Sequence, residues 1–189
     1  MVKSLAEITG LMLTLAMLVA CRPAPEVQQT PLPVSSPTWQ GGPTTASEMD
    51  DSPSVMYSLD ADVALQGAND REATPALLLR CREGKLAAFV RTHMPPDPSI
   101  ELGEPLAGLL AIRVRWDADE AGMEFWGPEA DREAIFSPDA RAFVVRLVTA
   151  QTLRVEFRPD RASSQVMRFS VGGFGTTRAN ALLEHCPKR

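Results

Sequence analysis

The residues that could carry out acid–base or metal chemistry are few. The chain has two histidines, His93 and His185, and neither has a zinc-ligand spacing or a nucleophile beside it. Two carboxylate groups, Asp50-Asp51 and segment 117–120, are candidates for a paired acid and base or for calcium. The second group lacks the glycine and terminal glutamate of an EF-hand loop. We therefore predict no enzyme, no metal ligands and no cofactor, with a hydrolase that uses these carboxylates as the alternative.

A cysteine at the end of an apolar N-terminal segment indicates a different chemistry. Residues 11–20 read L-M-L-T-L-A-M-L-V-A after Lys3, about half the length that crosses a bilayer. A charged start, a short apolar segment and small residues at its end are typical of a secretory signal peptide. Leu-Val-Ala-Cys resembles the lipobox of bacterial lipoproteins, which implies acylation of the Cys21 thiol. The sequence predicts a signal peptide over 1–20 and a lipid anchor at Cys21, through which the protein attaches to the membrane.

The residues after the anchor indicate a location and a tether. In lipoproteins an Asp after the cysteine tends to retain the protein in the inner membrane, and this chain has Arg22. By that analogy we expect the periplasmic face of the outer membrane. Residues 21–47 are rich in Pro, Ser, Thr and Gly and cannot bury enough surface to offset their ordering entropy. We predict a flexible tether there, with Trp39 as the one candidate for packing onto the domain, and a single globular domain over 48–189.

The charge of the chain restricts its partners. The formal net charge is −5, and the sequence has no dense basic segment. Nucleic-acid binding depends on clustered Lys and Arg that neutralise phosphates. The sequence therefore predicts no nucleic-acid partner.

With Cys21 assigned to the lipid anchor, Cys81 and Cys186 are the two remaining cysteines. In an oxidising compartment we expect them to form a disulfide. A loop of this size contributes about 4 to 5 kcal/mol in the chain-entropy model. The alternative is two separate thiols, one of them a nucleophile or a metal ligand.

Most of the predicted elements that must position these residues are β-strands. Alternating apolar residues, as in A111-I-R-V-R-W-D, are typical of strands with one wet face. Period-three and period-four spacing predicts a helix that begins at the N-cap Ser137. We predict strands at 55–62, on both sides of the turn 83–85, at 111–117, from 123, at 153–159 and at 166–171, and a second helix from 176 to 186. The fold class is an antiparallel, strand-rich (sandwich-like) α+β domain with two helices and one disulfide.

Arginines on these strands are the candidates for a binding face. They recur with a period of two and could form a basic patch for an acidic partner or for cell-wall carboxylates, if their strands adjoin. Solubilising strand edges are the alternative. Trp116, Phe125 and Trp126 are candidates for a glycan or peptide platform, although aromatic residues in such strands also form core. The candidate face comprises Arg80, Arg82, Arg113, Arg115, Trp116 and Trp126, with Arg154 and Arg158 in the same pattern.

Several short motifs follow one another between Trp39 and Pro187. They include M49-D-D, L-L-L-R-C-R before a polar turn, I-R-V-R-W-D, A134-I-F-S-P before a helix, F169-S-V-G-G-F and a terminal A-L-L-E-H-C. In this order they resemble the VasI/TagO family of type VI secretion-associated proteins. The resemblance implies an envelope accessory protein with no established enzymatic activity. The chain departs from the family motif F-D-x-x-G-L by having no acidic residue in F169-S-V-G-G-F, so a shared ligand surface does not follow.

These features together predict a lipid-anchored periplasmic accessory protein. Its expected partner is an envelope or secretion-apparatus protein. A cell-wall hydrolase or a glycan-binding envelope protein is the alternative.

Overall fold

The computed structural model describes residues 38–44 and 54–187, which form a mostly antiparallel strand structure with two helices. The strands are β1 (Gln40–Thr44), β2 (Ser54–Asp60), β3 (Leu65–Gln66), β4 (Glu72–Ala73), β5 (Ala76–Arg82), β6 (Lys85–Arg91), β7 (Leu110–Trp116), β8 (Gly122–Pro128), β9 (Ala134–Phe136), β10 (Thr152–Phe157) and β11 (Gln165–Ser170). The helices are α1 (Ala140–Leu147) and α2 (Gly175–His185). The predicted signal peptide, Cys21 and Asp50-Asp51 lie outside the described residues.

Nine of these strands form one continuous sheet in the order β1-β2-β5-β6-β9-β8-β7-β10-β11, and β3 pairs with β4. Each pairing is antiparallel. The tight turn between β5 and β6 places Glu83 and Gly84 at φ angles of 52° and 70°. Two successive positive φ angles match the twist of a hairpin, as the sequence predicts at 83–85.

The sheet curls so that its two ends approach each other. The backbone N–H of Asp62, just after β2, donates to the carbonyl of Arg168 in β11 at 2.8 Å. The indole N–H of Trp39, just before β1, donates to the carbonyl of Val171 at 3.1 Å. The inner faces of the two halves therefore enclose one apolar core.

Alternation along the strands determines which face is buried. In β10, Leu153, Val155 and Phe157 are buried, while the residues between them are half-buried. The two helices add buried side chains to the same core, α1 through Phe143, Val144 and Leu147, and α2 through Ala179 and Leu182.

The disulfide joins β5 to the end of α2. Cys81 and Cys186 are bonded, with Cα atoms 5.9 Å apart, and each residue is about 1% exposed. The fold class and the disulfide are therefore confirmed. The alternative of two separate thiols is wrong, because both sulfur atoms are used in the bond.

The structure differs from the sequence predictions in the cap of α1, in strand β1 and in the short strands β3, β4 and β9. Helix α1 is capped by Asp139 rather than by Ser137, because the Asp139 carboxylate accepts a hydrogen bond from the Ala142 backbone N–H at 2.9 Å. Strand β1 lies within the stretch predicted as a tether, where the burial of Trp39 and pairing with β2 hold it. Strand β9 has only three residues, too few for an alternating pattern to predict it.

Candidate functional site

The predicted arginines fall on two separated parts of the sheet. Arg80 and Arg82 lie on β5, whereas Arg113 and Arg115 lie on β7. Strands β6, β9 and β8 lie between β5 and β7 in the sheet order. The strands do not adjoin, so these four arginines do not form one continuous patch across neighbouring strands.

Both arginines of β5 are engaged locally. The Arg80 guanidinium lies over the Phe89 ring, 5.4 Å from its centroid, and covers a small apolar cluster outside the main core. The Arg82 side chain forms an ion pair with Glu83 at 3.4 Å. These contacts account for both side chains without a ligand.

The aromatic part of the predicted face is wrong. Trp116 is 4% exposed and packs edge-on against Phe143, with ring centroids 4.9 Å apart. Trp126 is 0% exposed, and its indole N–H donates to the Glu124 carboxylate at 2.8 Å. Both rings point inward with the core residues of their strands. Phe125, the third aromatic candidate, remains 40% exposed.

Three arginines stand side by side on the outer face of β7, β10 and β11. Arg115 lies directly opposite Arg154, and Arg154 lies directly opposite Arg168. We call Arg115, Arg154 and Arg168 the arginine row. The side chains of the row lie on the outer face of the sheet, because the residues that alternate with them along the strands, such as Val114, are buried.

Arg168 was not among the sequence candidates. The sequence does contain a signal for an outward side chain at this position, since Arg168 lies between the apolar Met167 and Phe169 of an alternating strand. What the sequence does not show is the register that places Arg168 beside Arg154.

The charges of the arginine row are only partly compensated. The Arg154 guanidinium donates to the backbone carbonyl of Asp117 at 3.1 Å. Within the described residues, the side chains of Arg115 and Arg168 form no hydrogen bond or ion pair, and both residues are exposed. Like charges directly opposite each other destabilise a sheet. The row is therefore a basic site that an anionic group would stabilise.

A second row lies beside the first, two residues along the strands. It runs across four strands through Met123, Arg113, Glu156 and Val166, in that order. Arg113 and Glu156 form an ion pair at 3.0 Å. Met123 and Val166, at the two ends, are 55% and 47% exposed. The outer face thus combines unpaired positive charge with exposed apolar side chains.

Two hollows flank the Arg113–Glu156 ion pair. The first, of about 210 Å³, is lined by residues of both rows and by Ala121. The second, of about 280 Å³, lies on the other side and is lined by Ile100, Leu102 and Met123 among others. Both are smaller than the pockets of about 300 to 1,000 Å³ that hold drug-sized ligands. They suit individual side chains of a larger partner.

Two of the three carboxylates of segment 117–120, those of Asp117 and Asp119, make contacts within the protein. Asp117 Oδ1 accepts hydrogen bonds from the backbone N–H groups of Thr152 and Gln151, at 2.7 and 2.9 Å. The bond from Thr152 is the main reason that the pKa of Asp117 is below its usual value. Asp119 forms an ion pair with Arg146 at 2.5 Å. These two carboxylates connect the end of β7 to the start of β10 and to α1.

A larger cavity of about 390 Å³ lies between α1 and β8. Its apolar lining includes Trp116, Phe143 and Pro138. Its carboxylates are already bonded, since Glu124 accepts from the Trp126 indole and Asp139 caps α1. The cavity therefore has few polar groups free to orient a ligand.

Within residues 38–44 and 54–187, no group of three or more His, Cys, Asp or Glu side chains has a metal-binding arrangement. No helix in the described part of the chain combines the length and the hydropathy needed to span a membrane.

Comparison of the chain with protein-family models, with curated proteins and with solved structures finds no match.

Proposed function

We propose that the protein is a non-enzymatic, lipid-anchored accessory protein of the bacterial envelope that captures an acidic partner through the arginine row. The anchor is Cys21, and the periplasmic face of the outer membrane is the proposed location. The order of motifs that resemble the VasI/TagO family supports a partner from a secretion apparatus. The Cys21 proposal and the location rest on the sequence of residues 1–22.

The observation that carries the proposal is the uncompensated charge of the row on an acidic chain. The chain has a net charge of −5, yet Arg115, Arg154 and Arg168 occupy three directly adjacent positions. Two unit charges about 5 Å apart in water repel by roughly 0.8 kcal/mol, and side chains reduce this by spreading apart. An anionic partner bound between the arginines adds attractive interactions that offset this repulsion.

Asp117 and Asp119 do not support the hydrolase alternative, because their contacts leave Glu120 without a free carboxylate beside it. The Asp117 carboxylate is bonded to backbone N–H groups, and Asp119 is paired with Arg146. A general acid or base must instead be free to reach a substrate proton. We therefore place the function on the outer face of β7, β10 and β11.

The test is crosslinking and pull-down from intact envelopes of the producing bacterium. Four forms are compared: the native protein, the double variant Arg115→Glu/Arg168→Glu, a matched control and Cys21→Ser. The control, Arg82→Glu/Arg161→Glu, makes the same charge change at two exposed arginines outside the row. Circular dichroism and thermal unfolding check that every variant is folded.

We expect the native and control forms to capture the same acidic envelope protein. The row variant should capture at least tenfold less of it, and Cys21→Ser should lose it because the protein is no longer held at the membrane. Equal capture by the row variant and the control would refute the proposal. Capture of peptidoglycan fragments alone would favour the cell-wall alternative.

A further inference from the structure

We infer that the element bound by the arginine row is an acidic amphipathic α-helix of the partner, lying across strands β7, β10 and β11. This inference rests on the proposed function and adds the shape and the side-chain pattern of the partner. It follows from the spacing of the row, from the apolar residues beside it and from the hollows of the same face.

The spacing of the arginines matches a helix. The three residues occupy neighbouring strands in register, so their Cα atoms are about 4.8 Å apart and span about 9.6 Å. A helix rises 1.5 Å per residue, so carboxylates at positions i, i+3 and i+7 lie at about 0, 4.5 and 10.5 Å along its axis. The long arginine side chains bridge the remaining difference.

An extended peptide fits the row less well. Side chains on one side of an extended chain repeat every two residues, at about 6.7 Å. A strand laid along the row would therefore place successive carboxylates out of step with arginines about 4.8 Å apart. The outer edge of β11 is also partly covered, because the Asp62 backbone N–H donates to the Arg168 carbonyl and the Gln165 side chain bonds to the backbone of Gln66. Addition of a strand at this edge is thus disfavoured.

The exposed apolar residues of the second row indicate that the partner helix has an apolar stripe beside its acidic stripe. This row lies about 6.7 Å from the arginine row, within the width of a helix of about 10 Å. Met123 and Val166, at its ends, are separated by three strand spacings, or about 14 Å. A helix that reaches from one to the other needs about ten residues.

The uneven surface of the outer face of β7, β10 and β11 favours a helix over a lipid layer as the bound partner. The hollows of about 210 and 280 Å³ on either side of the Arg113–Glu156 ion pair can each accept a protruding side chain. A planar layer of anionic headgroups would leave them unfilled.

The experiment uses the full mature chain, residues 21–189, with Cys21→Ser so that binding is not dominated by the lipid. The probe is an 18-residue synthetic peptide with Glu at positions i, i+3 and i+7 and Leu on the adjacent stripe. The matched peptide has the same composition with Glu at every second position. Binding is measured by calorimetry, and helix formation by circular dichroism.

We expect the helical-pattern peptide to bind at least tenfold more tightly than the matched peptide and to gain helix on binding. Arg115→Glu/Arg168→Glu should weaken this binding at least tenfold, and Arg82→Glu/Arg161→Glu should leave it within about twofold. Equal affinity for the two peptides would overturn the inference. So would arginine-dependent binding to phosphatidylglycerol vesicles, relative to phosphatidylcholine vesicles, without binding of the helical peptide.

The two proposals can fail separately. If envelope capture depends on the row but the helical peptide does not bind preferentially, the proposed function stands and the helical partner is refuted. If neither measurement depends on Arg115 and Arg168, both are refuted.

Discussion

Removal of the disulfide tests how this fold is stabilised. The bond joins Cys81, near the end of β5, to Cys186, at the end of the last helix. Both residues should be changed together, as Cys81→Ala/Cys186→Ala, because a single substitution leaves a reactive thiol. The effect then reports the loss of the crosslink.

The expected magnitude follows from the sequence separation of 105 residues. In the chain-entropy model, a closed loop of this length lowers the entropy of the unfolded chain by about 16 cal/mol/K, which is about 4.7 kcal/mol at 25 °C. Single domains are typically stable by about 5 to 15 kcal/mol. The double variant should therefore lose a large part of its free energy of unfolding.

Urea unfolding followed by tryptophan fluorescence measures this loss. Trp39, Trp116 and Trp126 are all buried and distributed over the sheet, so their emission reports global unfolding. With a slope of about 2 kcal/mol per molar urea, the midpoint should fall by about 2 M. The slope should also rise, because the unfolded chain without the crosslink exposes more surface.

Two results would refute this reasoning. A loss below about 1.5 kcal/mol with an unchanged slope would mean that the unfolded chain is already constrained without the bond. A midpoint shift with a lower slope would mean that unfolding is no longer two-state.

Three further changes test other parts of the structure by the same urea assay. Trp39→Ala removes a buried ring and its hydrogen bond, and should cost about 3 to 5 kcal/mol; a cost below 1 would mean that β1 is not part of the cooperative fold. Asp117 has a lowered pKa, so its contribution is fully present above the ordinary aspartate pKa of about 3.9 and is lost as pH falls through the lower folded value. Asp117→Asn should therefore destabilise the protein at pH 7 and make acid unfolding less steep; unchanged steepness would contradict this. Arg168→Glu should stabilise the fold by about 0.5 to 1 kcal/mol by placing opposite charges beside Arg154; destabilisation would show that repulsion within the row is negligible.

Much of the fold follows from local pattern. The alternation in A111-I-R-V-R-W-D predicts β7, and the same rule predicts β10 and β11. Gly84 predicts the β5–β6 turn, since glycine adopts positive φ without steric cost. Strand β1 does not follow, because its sequence Q-G-G-P-T has no apolar alternation and its position depends on Trp39.

The alternating pattern of β7 also indicates which face of the sheet the Trp116 ring occupies. Ile112, Val114 and Trp116 share one face by alternation, and that face is buried, so the ring belongs to the core. Trp126 is different, because β8 has apolar residues on both faces, Phe125 outward and Trp126 inward. Only the pairing of Trp126 with Leu110 on the inner face distinguishes them.

The arginine row depends on register, which local pattern does not determine. A shift of β11 by two residues would keep its buried face inward and would oppose Arg168 to Glu156 instead of Arg154. The observed register is held by contacts outside the hairpin, namely the backbone bond from Asp62 to Arg168 and the indole bond from Trp39 to Val171. Closure of the curled sheet therefore helps to place Arg168 beside Arg154, which already lies opposite Arg115. Because we expect Glu at position 168 to relieve the repulsion without disturbing the core, stability alone would not account for an arginine there, whereas the proposed capture of an anionic helix would.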